Sequence, residues 1–77
     1  MLDAYVLIQT RTGNQAPVAQ ELAQIPGVVG AVVVAGPYDV VARVTTPDLN
    51  RLGELVVGHI QAVDGIVRTL TCPILRL

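Results

Sequence analysis

The side chains able to do chemistry are few and far apart in this 77-residue sequence. Asp39, Asp48, Glu54 and Asp64 fall on separate predicted elements, so no paired carboxylates stand ready for general acid and base work. There is no Ser-His-Asp set and no phosphate-binding glycine loop. One histidine, His59, and one cysteine, Cys72, stand 13 positions apart, whereas zinc wants about four Cys or His ligands at short paired spacings. No metal and no cofactor is expected. His59 reads as a packed or solvent-facing helix residue, and Cys72 as an inert packed thiol. The most suggestive group is Gly36-Pro37-Tyr38-Asp39. An α-amino acid carries an ammonium, a carboxylate and a side chain, so its receptor needs an anionic acceptor, backbone donors and a selective pocket. Asp39 supplies the acceptor, and glycine lets the main chain around Pro37 and Tyr38 approach closely. The plainer reading of the same residues is turn geometry, with Asp39 as an Asx-type cap.

Those residues need elements to position them. Leu2 to Thr10 alternates Leu2, Ala4, Val6, Ile8 with Tyr5, Leu7, Gln9 and predicts a strand. Thr12-Gly13-Asn14 breaks it, Asn14 caps a helix, and Pro17 sits in the first turn, where an orphan amide needs no partner. Val18, Leu22 and Ile25, with Ala19 and Ala23, make the apolar stripe of that helix. After Pro26-Gly27, Val28 to Ala35 is almost wholly valine, alanine and glycine, the pattern of a strand buried on both faces. Gly36 to Asp39 turns the chain into Val40-Val41-Ala42-Arg43-Val44, so the two strands form a hairpin.

Thr46 as cap, Pro47 at the first helical position and Asp48 in the first turn open a second helix, with Leu49, Leu52, Val56, Ile60 and Val63 inward. Asp64-Gly65 stops it. Ile66 to Leu75 closes the chain as a strand with Ile66, Arg68, Leu70, Cys72, Ile74 on one side and Val67, Thr69, Thr71, Leu75 on the other. Pro73 implies an edge or an end. The order β-α-β-β-α-β is two right-handed split βαβ units, an α+β, ferredoxin-like domain spanning residues 1–77. It predicts a four-stranded antiparallel sheet with both helices on one face.

Composition then asks for company. A chain this short buries a modest core, and neither a disulfide nor a metal is on offer to supplement it. Hydrophobic residues make up 52% and mean hydropathy is +0.59, yet no apolar run approaches the roughly 18 residues of a membrane span. Several strands are apolar at both parities, so the uncovered sheet face calls for another subunit, as a sheet-on-sheet homodimer. Net charge is −1, lysine is absent, the five arginines are scattered, and only Tyr5 and Tyr38 are aromatic, which argues against nucleic acid. The N-terminus lacks the features of a signal peptide, and an unpaired thiol suits a reducing compartment, so a cytoplasmic location is expected.

The topology, the run Gly36-Pro37-Tyr38-Asp39-Val40-Val41-Ala42-Arg43-Val44 and the closing Gly65-Ile66-Val67-Arg68-Thr69-Leu70-Thr71 resemble the effector (RAM) domain of the Lrp/AsnC transcription regulators. The resemblance covers essentially the whole chain. It implies dimers assembling into rings, commonly octamers or decamers, with amino-acid effectors bound between dimers. It carries Gly36, Pro37, Tyr38, Asp39, Thr69 and Thr71 as ligand-binding residues. The chain begins directly at the effector domain, so it is similar to the stand-alone form. That implies no direct DNA binding and a regulatory role through mixed assembly with full-length Lrp/AsnC relatives. Two other functions compete: an oligomerisation module that binds no ligand, and a small ferredoxin-like dimeric enzyme, against which the side chains argue.

Overall fold

The computed structural model describes residues 1–77. The chain runs β1 (Leu2–Thr10), α1 (Gln15–Leu22), β2 (Val28–Val33), β3 (Val40–Thr46), α2 (Leu49–Leu55), a π-helical turn (Val56–Ile60) and β4 (Ile66–Pro73). The strands form one antiparallel sheet in the order β2-β3-β1-β4. Alternation does what it should in the two central strands: Ala4, Val6 and Ile8 of β1 and Val40, Ala42 and Val44 of β3 are fully buried. Val18, Ala19 and Leu22 of α1 join the same cluster, as do Leu52, Leu55, Val56, Ile60 and Val63 from α2 and the residues after it. Both helices therefore cover one face, and this is the ferredoxin-like α+β arrangement the sequence predicts. Burying a side chain such as Ile8, Leu22 or Ile60 contributes about 1.5–3 kcal/mol each.

The helix ends differ from expectation. Asn14 stands at the cap of α1, but its side chain makes no capping bond. Its backbone serves instead, donating to the Arg11 carbonyl and accepting from Val18, both at 3.0 Å. In α2 the cap is Asp48 rather than Thr46: its carboxylate accepts from the Arg51 amide at 2.8 Å, while the Thr46 hydroxyl donates to the Asp48 carbonyl at 3.0 Å. Asp48 wins because a carboxylate at this position meets the orphan amides of the first turn directly. The helix starts later than expected, so Leu49 is left 66% exposed and Leu55 takes its place in the core. A wider turn follows, in which the Gln61 amide reaches back five residues to the Val56 carbonyl at 2.9 Å.

Two strands also depart from the reading. β2 is not buried on both faces; it is an edge strand, with Val29 64%, Val32 58% and Val33 52% exposed. In β4 the pairing register with β1 shifts between Gln9 and Thr10, which sets Ile66 against Thr10 and packs it on the core. That irregularity moves Ile66 to the helix side with Thr69 and Thr71, away from Arg68, Leu70 and Cys72.

On the open face the register builds transverse rows across the sheet. Val32, Val41, Leu7 and Leu70 lie side by side in one, and Gly30, Arg43, Tyr5 and Cys72 in the next. Beyond them Asp3 gathers two cations, Arg43 at 3.8 Å and Arg76. The Arg43 guanidinium also lies 5.8 Å from the Tyr5 ring centroid. The Asp3 carboxyl is held below the usual aspartate value, first by the Thr45 hydroxyl and then, against some desolvation, by the two arginines.

This packing makes two substitutions informative. Gly65 has φ +99°, and a Cβ there would stand 3.1 Å from both Asn14 Cβ and Val18 Cγ2. Gly65→Ala should therefore cost about 1–3 kcal/mol, read as a lower denaturation midpoint with unchanged slope at matched protein concentration. A depressed aspartate contributes stability above its unfolded value of about 3.9 and loses it as pH falls through the lower folded value. Asp3→Asn should accordingly be less stable than the parent at neutral pH, with the gap closing in acid below that range. A gap that widened on acidification would contradict the assignment.

Candidate functional site

The hairpin Gly36–Asp39 is stitched to the end of β1 rather than standing free. The Asp39 amide donates to the Ile8 carbonyl and the Asp39 carbonyl accepts from Val34, both at 2.9 Å. Its carboxylate Oδ2 accepts from the Thr10 amide at 2.8 Å, and the Gln9 side-chain amide donates to the Pro37 carbonyl at 2.9 Å. Gly36 makes the corner with φ +155°, a conformation that L side chains rarely adopt. Gly36 and Pro37 are exposed, while Tyr38 and Asp39 are half-buried.

Asp39 therefore has a structural duty, closing the strand end that β1 leaves open at Thr10. That duty occupies one oxygen. Oδ1 makes no hydrogen bond within the chain and remains a free acceptor. Gln9 and Thr10 were not among the residues the sequence singles out, and no local signal marks them, because their bonds to the hairpin span 28 and 29 positions.

Thr69 and Thr71 lie elsewhere. They pair with Ile8 and Val6 and so face the helices, and the Thr69 hydroxyl accepts from the Gln61 side chain at 2.9 Å. β1 separates their strand from β3, which puts them two ladder steps, roughly 10 Å, from the hairpin's own strand. A single chain does not gather all six residues into one pocket: none of them lines any of the three surface hollows.

Those hollows have distinct chemistry. A polar groove of about 210 Å³ runs between Gly27, Thr45 and Thr46 on one side and Arg51, Glu54 and His59 on the other, at the end of β2 and β3 away from the hairpin. His59 is exposed and also borders a second groove between the helices, against Glu21 and Ile25. The third hollow, about 220 Å³, is apolar and lies on the open face among Tyr5, Val29, Gly30, Val32, Val41 and Arg43. No three His, Cys, Asp or Glu side chains converge as a metal site would require. No helix is long and apolar enough to cross a membrane.

Comparison with known proteins agrees with the fold. The profile of the Lrp/AsnC ligand binding domain matches residues 3–77. An HTH-type transcriptional regulator of Pyrococcus furiosus is 31% identical over 71 residues, which are 88% of this chain and 47% of that protein. The chain thus spans about half the length of the curated relatives it matches. A solved structure from Thermus thermophilus superposes with a TM-score of 0.93 at 34% identity, covering 100% of this chain and 96% of that one. A transcriptional regulator from Neisseria meningitidis, solved as a complex with L-Met, superposes at 0.84 over 97% of this chain and 50% of its own, and at 17% identity shows the fold alone. The chain belongs to the Lrp/AsnC ligand binding domain family.

Proposed function

We propose that this domain senses a small amino-acid effector and reports it by a change of assembly. The effector sits at the Gly36–Asp39 hairpin, between chains. The observation that carries the reading is the spare Oδ1 of Asp39 on a glycine-cornered turn in a chain that matches a ligand binding domain along its length. Oδ1 takes the ammonium, and the backbone beside Gly36, Pro37 and Tyr38 meets the carboxylate. Thr69 and Thr71 lie on the helix side of β4, roughly 10 Å from the hairpin's own strand, and in this reading they meet the effector from a neighbouring copy. A fold neighbour bound to L-Met supports amino-acid chemistry for this fold, without naming the effector of this chain.

Dimers that cover the open face are the minimal unit, and further association into octamers or decamers closes the site. An effector that binds one assembly state better than another shifts the balance by its differential affinity, typically about 1–3 kcal/mol. Regulation runs through association with full-length Lrp/AsnC relatives in the cytoplasm rather than through direct contact with DNA, since the arginines are scattered and lysine is absent. A pure oligomerisation module is the competing reading, favoured by the fact that no hollow in the single chain includes the hairpin.

A thermal-shift screen of the twenty amino acids separates the two. A ligand at 100 times its dissociation constant adds about 2.7 kcal/mol, which is roughly 10–20 °C for a domain of this size. Asp39→Asn keeps a carbonyl acceptor for the Thr10 amide and should fold within about 1 kcal/mol of the parent, yet lose the ligand-induced shift. Asp39→Ala leaves that amide unpaired and should cost about 1–3 kcal/mol without any ligand present. A flat screen, or an Asp39→Asn protein that responds like the parent, defeats the sensing role.

A further inference from the structure

We infer that the polar groove beside Gly27, Arg51 and His59 binds a small oxyanion, the carboxylate or phosphate group of a small molecule, with the Arg51 guanidinium, the His59 ring and the Gly27 amide as its donors. It lies apart from the proposed effector site, because the hairpin joins the opposite ends of β2 and β3. Three segments build it. Pro26-Gly27 leads into β2, Thr45 and Thr46 end β3, and α2 with the turn after it supplies Arg51, Glu54 and His59. Gly27 keeps the groove open. Its φ is +97°, and a Cβ there would stand 3.3 Å from Leu55 Cδ2 and 3.5 Å from the Thr45 carbonyl oxygen, so a larger residue would strain the turn and crowd the lining. The Asp48 carboxylate already caps α2 by accepting from the Arg51 amide, so the charge the groove offers comes from side chains rather than from the start of the helix.

The lining is rich in donors and short of acceptors. The Gly27 carbonyl accepts from the Thr45 amide at 2.9 Å, but the Gly27 amide donates to nothing within the chain. Neither the Arg51 guanidinium nor the His59 ring makes a hydrogen bond within it. Arg11 and Arg76, by contrast, each donate to a carboxylate. Glu54 is the one carboxylate in the lining, and its Oε2 stands 3.8 Å from Arg51 Nε with the two side chains 72% and 65% exposed. That separation is too long for a hydrogen bond, and a pair so well solvated holds weakly, so the guanidinium is available to a ligand. Its planar fork matches a carboxylate and a phosphate alike. Leu55 is the one aliphatic residue in the lining, so the groove has little to offer an apolar molecule.

NMR of the isotope-labelled full chain tests this, with sodium phosphate, acetate and glycine titrated separately at an ionic strength held constant with chloride. Phosphate or acetate should move the Gly27 amide and the His59 ring resonances together and saturably at millimolar concentration, and the tighter of the two identifies the kind of anion. Arg51→Gln keeps the backbone bond to Asp48, should fold like the parent, and should weaken binding roughly tenfold. Glu54→Gln removes a like charge and should tighten it about two- to fivefold. Asp39→Asn should leave it unchanged. A saturable response to glycine alone, weakened by Glu54→Gln, would make the groove a site for a zwitterion and overturn the proposal. Shifts that are missing, that fail to saturate, or that survive Arg51→Gln undiminished would also overturn it, since charge screening alone accounts for them.

Discussion

A four-stranded sheet has two faces, and two short helices cover one of them. Everything distinctive about this chain answers to that asymmetry. On the covered side, Ala4, Val6, Ile8, Val40, Ala42 and Val44 are withdrawn from water almost completely by a single layer of helix. On the other, a band of valine, leucine and tyrosine remains wet in the isolated chain, and Val29, Val32 and Leu70 are each close to half exposed or more. Contiguous apolar surface of that kind marks interaction sites on soluble proteins. A domain this small also lacks core to spare, so a partner over the open face would serve stability as well as architecture.

The distribution of charge follows from the same constraint. A sheet face wholly apolar would associate in any register and orientation, because the hydrophobic effect is non-directional. Here the polar groups stand at the two ends of the band: Asp3 with Arg43 and Arg76 at one, Gln9 and Arg68 at the other. Charge placed at the margins costs little when solvated and penalises misaligned partners strongly, which is how electrostatics gives specificity more than affinity. The Thr45 hydroxyl and the arginines hold Asp3 ionised, and the polarity of that end depends on it.

Much of this was legible in the sequence because it is periodic. The alternation of Ala4, Val6 and Ile8, the Val18 and Leu22 stripe, and the turn at Gly36–Asp39 report local geometry directly, and together they fix the topology. What failed to show was set by contacts distant along the chain. β2 reads as doubly buried because Val28 to Val33 carries no charge at either parity, but pattern cannot say whether the second cover is part of the same chain. The Ile66 flip depends on a register shift opposite Thr10, which a strict count of alternation cannot anticipate. Thr46 and Asp48 are both good caps, and only the path of the chain out of β3 decides between them. For the candidate site the hairpin was visible, but the split between it and Thr69 and Thr71 was not, because shared membership of one sheet says nothing about which face or which side of β1 a residue occupies.

That split bears on how sensing can work at all. A pocket complete within one chain would bind its effector whatever the state of assembly, and binding would then report nothing about association. On the proposed reading, residues divided between the hairpin end of β3 and the helix-facing side of β4 are brought to one effector by a second chain, so occupancy and assembly become linked quantities. The linkage runs both ways: an effector that needs the interface strengthens it, and an interface that completes the pocket raises affinity by the same factor. Asp39 fits such a device because its structural bond to Thr10 fixes the carboxylate in place before any ligand arrives, so little ordering entropy opposes binding. The bond that makes Asp39 look like a simple turn residue is, on this view, what prepares its other oxygen to receive a charge.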